Sequence, residues 1–139
     1  MRFMMLMLPA GQCDAAPDAR PSTEAVAKMM RFNKSLQEAG VLLALDGLHP
    51  PSAGVRVSSV DGKPRIVDGP FAETKEVVGG YWMIDVASRE EAVAWASRCP
   101  LNPSDTIEIR QVFELNEFPA EVQQMVLETR AHSQPDASM

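Results

Sequence analysis

The chain is poor in the residue types that most often carry chemistry. It has two histidines and two cysteines in 139 residues. Cys13 and Cys99 lie far apart, and neither belongs to a CxxC or Cys/His pattern. Two reduced thiols are therefore expected rather than a disulfide, and no metal centre of recognised spacing is expected. No G-x-G-x-x-G or GKS/GKT phosphate loop occurs, no Ser/His/Asp order stands out, and no cofactor is expected. A basic excess is also missing. The net charge is -6, which argues against nucleic acid as a partner. Long apolar runs are absent as well. Met1 to Leu8 is apolar except for Arg2, too short for a membrane span and without the layout of a secretory signal. The expectation is a cytoplasmic protein with no membrane partner.

What is present is ordinary globular material, 45% apolar and 23% charged. The length argues for one domain with a core that needs no disulfide or metal. Arg2 to Leu8 reads as a buried strand. A Pro- and Gly-punctuated loop follows to about residue 21 and reads as a mobile surface excursion. Ser22 caps a helix whose apolar face is read as Val26, Met29, Met30, Leu36 and Ala39, with Phe32 on its flank, and Gly40 ends it. Val41 to Leu45 is a second strand. Val55 to Val60 and Lys63 to Val67 flank Asp61-Gly62, a hairpin turn signal.

Val77 to Val86 is the strongest strand candidate, and its Gly79-Gly80 pair marks a bulge or a close backbone approach. Ser88 and Glu91 form an S-x-x-E capping box before a helix that buries Ala92, Trp95, Ala96 and Cys99. Thr106 to Phe113 is the last strand. A short amphipathic helix spans about Ala120 to Thr129, and the tail from about His132 reads as disordered. Both halves read strand, helix, strand, which matches a split βαβ plan and an α+β class.

Asp68-Gly69-Pro70-Phe71-Ala72-Glu73-Thr74-Lys75-Glu76 connects the hairpin to the best core strand. It resembles the signature of the DGPF branch of the YCII-related proteins. Ala39-Gly40-Val41-Leu42, Gly47-Leu48-His49-Pro50, Gly79-Gly80-Tyr81-Trp82, Arg98-Cys99-Pro100 and Ile107 to Phe113 match in the same order. The resemblance covers about residues 1 to 118. It implies a ferredoxin-like antiparallel sheet of the dimeric α/β barrel type with two packed helices. An added β-hairpin and a C-terminal helix complete the expected fold. The domain is expected over residues 1–118, with a helix and flexible tail over 119–139.

The resemblance also implies small bacterial proteins, mostly without assigned function, some linked to transcription initiation. Narrower YCII proteins imply a His–Asp active site with the histidine in the first helix. A gap-free alignment on Ala39-Gly40 puts Met29 at that position, and this helix holds no histidine. The dyad does not carry over.

The residues leave two readings of the central stretch. Asp68, Gly69 and Pro70 can simply build a turn, with glycine supplying positive φ and Phe71 plugging the core. Alternatively, the turn holds Glu73, Lys75 and Glu76 at the mouth of a cleft. In an extended segment Glu73 and Lys75 share a face. His49 is the only histidine in the expected folded part, and an imidazole suits proton transfer near neutral pH. Its candidate orienting partners are Asp46, Asp68 and Glu73. A loop histidine packed on Pro50 and Pro51 is the plainer reading. Tyr81 and Trp82 point to opposite faces, one to the core and one to a pocket or dimer interface. Arg56 and Arg110 can pair with surface carboxylates or hold an acid group.

The candidate catalytic set is thus His49, Asp68 and Glu73. The candidate ligand-binding set is Asp46, Phe71, Lys75, Glu76, Tyr81 and Arg56. Two function classes stand. One is a small-molecule enzyme, of lyase or isomerase type, acting on a polar organic acid. The other is a non-catalytic, dimeric ligand-binding or regulatory module. A homodimer is expected because an open sheet covered by helices on one side leaves the other side bare.

Overall fold

The computed structural model describes residues 1–71 and 76–133. Strand β1 (Arg2–Leu8) buries Phe3 and Met5 and leaves Met4 and Leu6 on the opposite face. This period-two alternation is what a sheet with one covered face requires. Strand β5 (Gly80–Asp85) runs antiparallel to β1 and buries Trp82 and Ile84 on the same side. Strand β2 (Leu42–Gly47) pairs with the outer edge of β5, and β6 (Thr106–Gln111) pairs with β1. The resulting sheet order, β2-β5-β1-β6, is the ferredoxin-like arrangement. The sheet is open and does not close into a barrel.

Two helices cover one face. Helix α1 (Thr23–Glu38) starts at Ser22, whose Oγ accepts from the Ala25 amide at 3.1 Å. Helix α2 (Arg89–Ala96) starts at Ser88, whose Oγ accepts from Glu91 N at 3.1 Å. Glu91 reaches back to the Ala87 amide rather than that of Ser88, one residue earlier than a standard capping box. Phe32 and Leu36 from α1 meet Phe3, Met5, Trp82 and Ile84 from the sheet, and Ala92, Ala96 and Cys99 close the other side. Phe32 stands edge-on to Trp82 with ring centroids 5.6 Å apart. Trp82 Nε1 donates to Asn33 Oδ1 at 2.7 Å, which satisfies the one polar atom of a buried indole.

The apolar face of α1 differs from its sequence reading. Phe32 and Leu36 are buried, whereas Val26 is 39% exposed and Met30 is 63% exposed. Only one narrow side of α1 meets the sheet, and Met30 sits about 100° around the axis from Met29. Met29 packs against the core, with its sulfur 3.9 Å from Cys99 Sγ.

Strands β3 (Val55–Val60) and β4 (Lys63–Asp68) form a separate hairpin whose residues are all exposed. Asp61 and Gly62 both have positive φ, the primed turn that suits two twisted strands. Helix α3 (Ala120–Ser133) extends beyond the expected end at Thr129 and passes His132. The rest of the expected tail, 134–139, lies outside the described residues. Among the described residues, no helix is long and apolar enough to cross a membrane.

Candidate functional site

Because β1 and β2 both run antiparallel to β5, their C-terminal ends lie together beside the start of β5. Three connections meet at this end of the sheet: residues 9–21 after β1, 48–54 after β2, and the segment leading into β5. Backbone bonds pin them. Gly79 N donates to Met7 O at 2.7 Å, and Leu48 N donates to Gly79 O at 2.9 Å. Ser52 Oγ donates to Ala15 O at 2.6 Å, and Ala10 N donates to Asp105 Oδ1 at 2.8 Å. The connection after β1, expected to be a mobile excursion, is therefore docked on its neighbours.

Glycine is needed here for space. A Cβ on Gly79 would lie 2.7 Å from Pro9 Cγ, and one on Gly80 would lie 2.8 Å from Asp46 O. The close backbone approach expected of this pair is what the fold contains.

His49 is exposed on the connection after β2 and forms the shared wall of two cavities. The first, about 430 Å³, is lined by Gln12, Arg20, Leu48, His49, Pro50 and Gly79 among others. The second, about 320 Å³, is lined by His49, Pro51, Arg56, Phe71, Glu76 and Val78 among others. The second cavity carries one acid and one guanidinium, the first a guanidinium and no acid.

The other expected residues divide clearly. Asp46 accepts from the Tyr81 hydroxyl at 2.8 Å rather than from His49. That bond, then the Asp46 charge, then desolvation raise the Tyr81 pKa above its ordinary value, because each disfavours tyrosinate. Tyr81 and Asp46 stand on the open face of the sheet, opposite Trp82 in the core. Asp68 is exposed at the end of β4, opposite Val55. Among the described residues, His49 has no hydrogen-bonded carboxylate. Glu73 and Lys75 lie outside the described residues.

Phe71 does not plug the core. It lies under the Arg56 guanidinium, 4.0 Å from centre to centroid, at the base of the hairpin. Gly69 does not have positive φ. It is required because a Cβ there would fall 1.9 Å from Pro51 O. Arg20 and Gln12 had no place in the sequence-derived site. The available signal was that Arg20 is the only cation on the 9–21 connection. Among the described residues, no cluster of His, Cys, Asp and Glu is suited to hold a metal ion.

The sequence profile of the YCII-related domain matches residues 1–116. An uncharacterized protein of Rhizobium meliloti (strain 1021) is 38% identical over 79 residues, covering 54% of this chain and 64% of the relative. The chain thus spans just under two thirds of the curated relative it matches.

Proposed function

The chain belongs to the YCII-related domain family, and from that premise we propose that His49 is the proton-transfer residue of a small-molecule enzyme. Its substrate is a polar organic acid, and its reaction is of the lyase or isomerase class. The observation that carries this reading is the position of His49. It is an accessible imidazole on the wall shared by two cavities, and among the described residues it has no hydrogen-bond partner. An imidazole so placed can take a proton from a bound substrate and return it. Arg56, Phe71 and Glu76 line one side of the binding space, and Glu73 and Lys75, candidates from the sequence between Phe71 and Glu76, lie outside the described residues. The test is a thermal-shift screen of small carboxylic acids, followed by turnover assays on the hits. Replacement His49→Ala is expected to lower turnover by about a hundredfold or more. Unchanged turnover removes the proposal.

One observation favours the second reading, a non-catalytic ligand-binding module. Asp46 is engaged by Tyr81 and Asp68 stands apart, so His49 lacks a carboxylate to orient it among the described residues. Ligand binding without turnover across the screen supports this reading.

Under either reading we assign residues 1–118 to the domain and 119–139 to an extension. We also propose a homodimer formed through the bare face of the sheet. Met4, Leu6, Leu8, Tyr81 and Met83 make that face partly apolar, and α1 and α2 lie on the other side. Sedimentation velocity at micromolar concentration is expected to give twice the chain mass, and Met83→Asp is expected to give the single-chain mass. A monomeric unmodified chain sinks the dimer.

A further inference from the structure

We infer that Arg20 is the carboxylate anchor of this site, and that the ligand class is a small monocarboxylate. The inference rests on the reading that the His49 cavities take an organic acid, and it identifies where the acid group sits. The first cavity holds Arg20 and His49 and has no Asp or Glu in its lining. The whole chain carries a net charge of -6. A locally cationic cavity on an acidic protein selects anions against the field of the rest of the molecule.

The guanidinium is oriented by its own connection. Arg20 Nη1 donates to Asp18 O at 3.0 Å and to Ala19 O at 3.2 Å. Nε and Nη2 form the other edge of the same planar group. Among the described residues that edge has no partner, and Arg20 has no ion pair. Two parallel N–H donors on one guanidinium edge fit the two oxygens of a carboxylate. The chain contains that geometry elsewhere. Arg2 Nε donates to Glu114 Oε1 at 3.0 Å, and its Nη2 donates to Oε2 at 3.3 Å.

Among the described residues, Arg20 presents the same edge without a carboxylate of its own. Gln12, also in the lining, adds an amide without a protein hydrogen bond among the described residues. A single such edge suits one carboxylate. A phosphate, with more oxygens and more charge, calls for more donors than one arginine edge and one amide.

Benzoate and its uncharged isostere benzamide are the probes, with titration calorimetry as the readout. Benzoate is expected to bind the unmodified chain and benzamide is not. Arg20→Gln is expected to weaken benzoate about tenfold or more, since a charge-assisted hydrogen bond is lost. Arg20→Lys keeps the charge but not the fork and is expected to fall between the two. His49→Ala is read in turnover alone, because the imidazole lines the same cavity as Arg20. Binding that survives while His49→Ala keeps full turnover would remove the catalytic role and leave the anchor standing.

Three results overturn the anchor. One is benzoate binding unchanged in Arg20→Gln. Another is inorganic phosphate binding as tightly as benzoate. The third is no benzoate binding up to about 20 mM. Circular dichroism of each variant checks that the exposed substitution leaves the fold intact.

Discussion

Gly69 and Pro51 meet backbone to backbone. A Cβ on Gly69 would stand 1.9 Å from the Pro51 carbonyl oxygen and 3.3 Å from that of Gly54. The Gly69 amide donates to Gly54 O at 2.9 Å, so the close approach is bonded as well as tight. This contact joins the end of the hairpin to the connection that carries His49. Fold and site are therefore coupled through a residue with no side chain.

Gly69→Ala is accordingly expected to destabilise the chain by roughly 1–3 kcal/mol. The neighbouring atoms are backbone and cannot swing aside as a flexible side chain can. Urea unfolding measures the change. An unaltered midpoint would mean that the two connections separate freely in solution.

The Trp82–Asn33 bond gives a second prediction. Asn33→Leu removes the acceptor from a buried indole N–H, and the loss is expected to be roughly 1–3 kcal/mol. Tryptophan fluorescence through a urea titration reads it. A variant as stable as the original would show that the indole finds another partner.

Tyr81 is the only tyrosine in the chain, so tyrosinate absorbance reports it alone. Its pKa is raised first by the hydrogen bond to Asp46 and then by the Asp46 charge. Asp46→Asn removes the charge, so the titration is expected to move down toward the ordinary tyrosine range. No movement would show that the pair is not formed in solution.

Burial pushes the Cys99 thiol up to about 11, with the Asp105 charge adding to the effect. Between its ordinary value of 9.0 and about 11, the unfolded chain gives up this proton and the folded chain keeps it. The unfolded state then binds fewer protons, so this contribution to stability falls as pH rises through that window. The stability difference between the unmodified chain and Cys99→Ala is expected to shrink from pH 9.0 upward. A pH-independent difference would place the thiol in contact with water.

Much of the framework could be read locally. The Ser22 and Ser88 caps, the Asp61-Gly62 turn and the alternation of Phe3 and Met5 act within a few residues, so their signals survive without the fold. The phase of α1 did not. Met29 and Met30 are chemically identical, and only the angle at which the helix meets the sheet puts one against the core and the other in water. The site was legible only in part. His49, Arg56, Phe71 and Glu76 line the cavities, but Asp46 is drawn to Tyr81, and Arg20 arises from a stretch that looked like a plain loop.

The sequence by itself determined the main strand and helix segments, the Asp61-Gly62 turn and the family, because these depend on periodicity and on short motifs. Tertiary structure decided which connections meet. The order β2-β5-β1-β6 brings the ends of β1 and β2 beside the start of β5, although they are separated by tens of residues. Gly79 fits against Pro9 at that end of the sheet, and Gly69 against Pro51 at the base of the hairpin, contacts between residues far apart in the chain. The two cavities at His49 are the space left between these connections, and empty space between distant segments has no local code.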